Sequence, residues 1–356
     1  MEQMHGLDAP SVQAENGECE VVMPTLDPAP FLHGNPFPGT AELPYPRAVA
    51  TDSARLPAGT WQAASTPIGV RLELHGDADA VVVHYRTERD GKSAHGPDAG
   101  RAFEVWEGDS RLVVEPAALG EGRIELPLPA GAQGVTVYLP ERMRPTLLSL
   151  TPVGGSLVPG TRRPRWLAYG DSIVEGWVAG SPGSCWTARL SRRLGLDVCN
   201  LGYAGSARGE LPSAEHLASV PADLISLSYG TNCWSTIPHT ATLLRAGLDA
   251  FLTLLRQGNP ATPVVITTPI RRPDAEMTPN RLGATLADLR AAMAAQVQVR
   301  IDDGDPALVL VDGETLHDDD LLADGIHPGD EGHALMADRL EPVIRAACPP
   351  RGGEQA

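Results

Sequence analysis

Cysteine is scarce in this 356-residue chain: Cys19, Cys185, Cys199, Cys233 and Cys348 are irregularly spaced, and no two form a CxxC pair. That pattern excludes a disulfide framework and a structural zinc site. Long apolar runs are also missing. None approaches the roughly 20 residues that a membrane-spanning helix needs. The opening MEQMHGLDAP has neither the basic stretch nor the apolar core of a secretion signal, so a cytoplasmic protein is expected. Positive charge is in deficit, with 28 Lys and Arg against 45 Asp and Glu, a net charge of −17 at pH 7. Such a surface repels phosphate backbones and anionic lipid, so neither nucleic acid nor membrane is an expected partner. A neutral or cationic small molecule suits it better.

What is present is ordinary globular composition, 42% hydrophobic and 21% charged. The 37 Gly and 33 Pro are scattered, which signals many turns rather than disorder. No internal repeat is visible. The length suits two domains, either of them large enough for a sizeable core.

The two halves follow different periods. In the first, short alternating runs recur at 69–76, 80–88, 101–109, 123–129, 134–141 and 145–153, with Gly-containing turns such as Gly76-Asp77 and Gly108-Asp109 between them. Period-two patterning at this spacing predicts antiparallel strands in an all-β sandwich or jelly roll over 46–153. Residues 1–45 are Pro-rich and weakly patterned, and read as a loose or extended arm. Residues 154–164, rich in Gly, Pro and Arg, read as a linker.

From 165 to 350, buried strand candidates alternate with amphipathic helices. The strands are RWLAYG (165–170), LDVCNLG (196–202), DLISLSYG (223–230), PVVITTPI (263–270) and ALVLVDG (307–313). Near-continuous apolar runs are what parallel strands covered on both faces require. The helices lie within 240–257, 281–299 and 331–347, the first carrying a stripe of Leu244, Leu248, Phe251 and Leu255. This alternation predicts a doubly wound α/β domain, whose sites form outside the carboxyl ends of the strands.

Four short stretches sit at such ends or near the C-terminus: GDSI (170–173), NLGYAG (200–205), YGTN (229–232) and DGIHP (324–328). Singly, each has a bland reading. A serine at a strand-to-helix turn usually caps the helix, and the glycines and Asn232 usually shape turns. Together they supply acyl-transfer chemistry, which needs an activated hydroxyl, a base, an orienter for the base and donors for an oxyanion. Ser172 offers the hydroxyl, His327 the base, and Asp324, three residues earlier, the orienting carboxylate. The Ser172 and Gly205 amides and the Asn232 side chain offer the donors. Asp171 is assigned only a structural role in the turn.

In that order the four stretches resemble the sequence blocks of the SGNH hydrolases, the GDSL-type esterases. The resemblance spans residues 165–347. Ile173 stands where the first block usually has Leu, and Cys233 where the third usually has Asp. The resemblance implies a three-layer α/β/α, flavodoxin-like fold with a Ser172-His327-Asp324 triad and an oxyanion hole of Ser172, Gly205 and Asn232. It implies no cofactor and no metal. The sharp GxSxG elbow of ordinary α/β-hydrolases is absent. The β half is similar to the sandwich that precedes the catalytic domain in some SGNH proteins, carbohydrate esterases and antibiotic-decorating acyltransferases among them.

Other residues read more plainly. Trp177, Trp186 and Trp234 are packing residues first, with Trp234, close to Asn232, the candidate for substrate binding. His333 reads as a helix-start or surface residue, His317 and the acidic 318–320 as a solvated loop, Arg271-Arg272 as a surface pair, and Cys233 as a small buried thiol. The expected function is a serine esterase that removes a short O-acyl group from a polar or sugar-like alcohol. The alternative is an intracellular acyltransferase that moves an acyl group onto a natural-product, polyketide-type hydroxyl. A third reading is a non-catalytic carbohydrate-binding protein, which the complete set of site residues disfavours. The substrate is a small-molecule or carbohydrate ester in either enzymatic reading, and the oligomeric state is not legible.

Overall fold

The computed structural model describes residues 24–88, 99–131 and 133–348. The opening decapeptide and Cys19 lie outside the described residues. The first half contains β1 (Leu32–His33), α1 (Ala58–Ala64), β2 (Arg71–Gly76), β3 (Ala80–Thr87), β4 (Ala102–Glu107), β5 (Ser110–Pro116), β6 (Gly120–Pro127), β7 (Gln133–Tyr138), β8 (Thr146–Val153) and β9 (Leu157–Pro159). Among the described residues these strands form two antiparallel sheets. One runs β1-β2-β7-β4-β5 with β9 also on β2, and the other runs β6-β3-β8. Leu72, Leu74, Phe103, Val105 and Val137 of the first sheet share one buried cluster with Val81, Val83, Leu126 and Leu150 of the second. Each such side chain contributes about 1.5–3 kcal/mol by leaving water.

Three details depart from the sequence expectation. Strand β5 was not anticipated: almost every residue along it is exposed, so it lacks the alternation that marks a half-buried strand. The described part of the expected arm is packed rather than loose. Phe31 and Phe37 are buried, Leu26 bridges to Leu150, and β1 pairs with β2. Part of the expected linker is strand β9, which pairs with β2.

The second half contains β10 (Arg165–Gly170), α2 (Ser172–Glu175), α3 (Trp186–Leu194), β11 (Asp197–Gly202), α4 (Leu211–Ala218), β12 (Leu224–Ser228), α5 (Thr231–Trp234), α6 (Ala241–Gly258), β13 (Val264–Thr267), α7 (Leu286–Asp302), β14 (Leu308–Val311) and α8 (Asp330–Ala347). Its five strands are parallel in the order β11-β10-β12-β13-β14. Successive residues of β10 face opposite layers. Leu167 and Tyr169 pack with Leu217, Leu248, Phe251 and Met293 of α4, α6 and α7, whereas Trp166 and Ala168 pack with Trp186, Leu190 and Leu340 of α3 and α8. This is a three-layer α/β/α arrangement, and its strand order places the topological switch beside β10.

Register brings the motif stretches together. Gly170 pairs with Gly202 on one side and Ser228 on the other. The residues that follow these three strand ends are Ser172, Gly205 and Asn232. A Cβ at Gly170 would lie 2.2 Å from the Ser228 carbonyl oxygen and 2.3 Å from Val174 Cγ2, so only glycine lets α2 turn back this tightly.

Candidate active site

Ser172 is the first residue of α2, and Asp171 caps that helix by accepting a hydrogen bond from the Ile173 amide at 3.0 Å. Ser172 Oγ lies 2.8 Å from His327 Nε2. The opposite ring nitrogen, Nδ1, lies 2.8 Å from Asp324 Oδ2. Asp324 Oδ1 also accepts from the amides of His327 at 2.8 Å and Ile326 at 3.0 Å. The 324–327 turn is closed by a Leu322–Pro328 bridge and by the Ala323 amide donating to the His327 carbonyl at 2.8 Å. Local hydrogen bonding therefore fixes the carboxylate against the ring. Burial opposes ionisation of Asp324, but the ring and the two amides outweigh it and hold its pKa below the usual value.

Asn232 is buried in α5, and its Nδ2 donates to the Ala207 carbonyl at 3.2 Å, which engages one of its two amide hydrogens. Gly205 adopts φ +68°, and nothing lies within 4 Å of where a Cβ would stand. Its backbone thus borders open space. Asp171 is fully buried; burial pushes its carboxyl up to about 7 against the opposing pull of the Ile173 and Thr231 amides and Arg272.

Several surrounding residues were invisible to sequence reasoning. Glu175, at the end of α2, accepts from the Ala204 amide at 2.8 Å and pairs with Arg142 at 3.3 Å and Arg47 at 3.7 Å, both from the first half of the chain. Arg142 also lies 5.4 Å from the ring centre of Trp177, which in turn lies 6.3 Å from the His327 ring. Arg208 binds carbonyls of both the 205–206 turn and Asn232. No periodic pattern marks such residues; their partners are set by tertiary placement.

Among the other assignments, those of Arg272, His333 and His317 need correction. Arg272 is buried, not a surface residue: it donates to Thr231 Oγ1 at 3.0 Å, pairs with Asp274 and covers the Trp234 ring at 5.3 Å. Its neighbour Arg271 is exposed and pairs with Asp319. His333 does sit in the first turn of α8 but is fully buried, and His317 is buried as well. Trp186 packs on Trp166 and donates to the Ile173 carbonyl at 3.1 Å, so it belongs to the core. Trp234 is half-buried and donates to the Thr278 carbonyl at 2.7 Å. Cys233 is buried, and burial raises its thiol well above the usual value. Among the described residues, no group of three or more His, Cys, Asp or Glu is placed to hold a metal ion.

Residues 168–335 match the model of the GDSL-like Lipase/Acylhydrolase family. This part of the chain is a GDSL-like lipase/acylhydrolase domain. The GDSL-domain protein is accordingly an enzyme of the esterase and acyltransferase class. Among solved structures it is similar to the salicylyl-acyltransferase SsfX3 of a tetracycline biosynthetic pathway, with 25% identity and a TM-score of 0.79, covering 91% of this chain and 97% of that one. A GDSL-like lipase from Bacteroides ovatus matches over 91% and 98% of the two chains, at 20% identity and a TM-score of 0.74. A family two carbohydrate esterase from Clostridium thermocellum, solved with cellohexaose, matches at 15% identity and a TM-score of 0.57 over 78% and 91%. These last two likenesses concern the fold. No curated protein matches the sequence. Among the described residues, no helix is long and apolar enough to cross a membrane.

Proposed function

We propose that the GDSL-domain enzyme is a serine esterase that forms an acyl-enzyme on Ser172 and releases a short O-acyl group from a polar or sugar-like alcohol. The observation that carries this reading is the unbroken chain Ser172 Oγ–His327–Asp324, with both contacts at 2.8 Å. Ser172 Oγ attacks the ester carbonyl carbon while His327 Nε2 takes the hydroxyl proton. The displaced electron pair resides on the carbonyl oxygen, held by the Ser172 and Gly205 amides and Asn232 Nδ2. Collapse of the adduct breaks the bond to the alcohol, which leaves with the proton from His327. Water then attacks the acyl-enzyme by the same route and restores Ser172. Asp324 holds the imidazole in the tautomer that presents a bare Nε2 to the hydroxyl. Trp177 lies 6.3 Å from the His327 ring, Trp234 follows Asn232 closely in the chain, and we place Trp234 at the substrate. The first half is in this reading a jelly-roll-like β-sandwich, domain 46–153, that precedes the catalytic domain 165–350.

A second reading changes only the last step: a bound hydroxyl of a natural product replaces water as the acceptor. Likeness to a salicylyl-acyltransferase over 91% of this chain favours it. Both readings are tested by incubating the enzyme with a panel of p-nitrophenyl acyl esters, with and without polyhydroxylated alcohols, and following products by mass spectrometry. The esterase reading expects free acid to dominate in both arms, whereas acyl alcohol exceeding free acid establishes transfer. The Ser172→Ala variant should be inert while folding normally. Wild-type turnover by that variant would remove both readings.

A further inference from the structure

Arg208 makes three hydrogen bonds, all to main-chain carbonyls. Nε donates to Asn232 O at 3.2 Å, Nη1 to Ser206 O at 2.6 Å and Nη2 to Gly205 O at 3.0 Å. Among the described residues no carboxylate lies within ion-pair distance of it. These carbonyls belong to two separate turns, one after β11 and one after β12. They are the turns that carry Gly205 and Asn232. We propose that Arg208 is a positioning residue that locks the two distal oxyanion donors into one rigid unit. The inference rests on the oxyanion assignment made above.

Each turn needs such a lock. Gly205 is exposed, sits at positive φ and has no side chain, so its peptide planes are held only by hydrogen bonds, among them those of the Ser206 and Ala207 amides to Tyr203 O. The Tyr203–Ala204 peptide is anchored where Ala204 N donates to Glu175. The peptide after it is anchored where Gly205 O accepts from Arg208. The Gly205 amide lies between those two anchors, so its direction is set by both. Asn232 lies in a helix of only four residues, too short to hold itself. There the bonding is reciprocal. The Asn232 side chain donates to Ala207 O, and Arg208, the next residue, donates to Asn232 O. Rotation of the Asn232 amide would break the first bond, and displacement of its backbone would break the second. The base of the clamp is fixed too, because Gly209 N donates to the buried Tyr169 hydroxyl at 3.1 Å. A guanidinium suits this task because its planar fork directs donors to several carbonyls at once, which a lysine ammonium cannot reproduce.

Misplaced donors weaken the transition state more than the bound ester, so the clamp acts on kcat rather than on KM. The test measures kcat and KM for p-nitrophenyl acetate in Arg208→Ala, Asn232→Ala and the double variant, with folding checked by circular dichroism. For Arg208→Ala we expect kcat to fall by about tenfold or more with KM nearly unchanged, because a loosened donor costs less than the roughly hundredfold or more of a donor lost outright. The double variant should lose less than the product of the two single losses, because the part of the Arg208 effect that passes through Asn232 is already gone once Asn232 is removed. Wild-type kcat in Arg208→Ala, a loss confined to KM, or losses that multiply would each overturn the clamp. Wild-type kcat in Asn232→Ala would instead overturn the oxyanion assignment beneath it. Should Arg208→Ala not fold, Arg208→Lys takes its place: reduced kcat supports the clamp, and wild-type kcat overturns it.

Discussion

At the scale of single residues, Asp324 shows how a turn of four residues fixes a carboxylate against the imidazole of the proposed base, His327. Its two oxygens accept three bonds, two from amides and one from the ring, so the carboxylate is oriented before the imidazole is. Its depressed pKa means that this bonding stabilises the protein above the ordinary carboxyl range and is lost as pH falls through the lower folded value. Asp324→Asn keeps the shape but turns an amide toward one of these donors. Its kcat should drop by about a thousandfold or more, with little change in KM, in a steady-state assay. His333 makes the opposite kind of prediction. Burial pushes its pKa down to about 3, outweighing the opposite pull of a hydrogen bond with the Trp177 backbone. A base with a lowered folded pKa stays neutral in the fold while the unfolded chain takes up a proton below about 6.5. Stability is therefore lost as pH falls from there. Between pH 7 and pH 5 the wild type should lose about 2 kcal/mol more than His333→Leu, read from urea unfolding at both pH values. Equal losses in the two proteins would show that His333 is not the sensor.

At the scale of elements, two four-residue helices, α2 and α5, carry Ser172 and Asn232 at the ends of neighbouring strands. Asp171 faces both of them, and its carboxylate is favoured by the Ile173 and Thr231 amides. In Asp171→Asn one acceptor oxygen remains, and an NH2 group takes the place of the other. That substitution should lower both kcat and the melting temperature, and Asp171→Ala should lower them further by removing the cap, worth about 1 kcal/mol. Unchanged kcat in Asp171→Ala would confine the residue to a capping role. The same elements explain what could be read in the sequence. The parallel strands were legible because burial on both faces makes each a continuous apolar run, and the four motif stretches because each is local to one strand end or loop. Strand β5 was hidden because an exposed strand has no apolar face. Arg272 looked like a surface residue because its partners, Thr231 and the Trp234 ring, lie some 40 residues away in the chain. Arg47, Arg142 and Arg208 carry no local signature either, since Glu175 for the first two and Asn232 for the third are met only after folding.

At the scale of the whole molecule, the two halves are joined by buried arginines rather than by an apolar seam alone. Arg71 donates to Val198 O and pairs with Asp197, while Arg192 donates to Gly108 O and to the Tyr138 hydroxyl. Arg47 is the member that reaches the site. It is fully buried, donates to the carbonyls of Ala63, Thr66, Asn200 and Gly202, and faces Glu175 at 3.7 Å. Glu175 in turn holds the Ala204 amide, one residue before Gly205. The first half thus supports the turn of Gly205, a proposed oxyanion donor, through Glu175. Arg47→Met preserves much of the side-chain volume but strips four carbonyls of a donor and leaves the buried Glu175 with Arg142 as its remaining cation. Removing one member of a buried charge pair costs about 3–5 kcal/mol, so a large fall in melting temperature is expected. Because part of the loss follows from weaker charge compensation at Glu175, Arg47→Met combined with Glu175→Gln should recover part of that stability. It should not recover the rate, since a glutamine amide holds the Ala204 amide less firmly than a carboxylate. Thermal unfolding and kcat measured on both variants separate the two effects. Recovery of neither stability nor rate would assign Arg47 to carbonyl capping alone, leaving Arg142 as the ionic support of Glu175 from the first half.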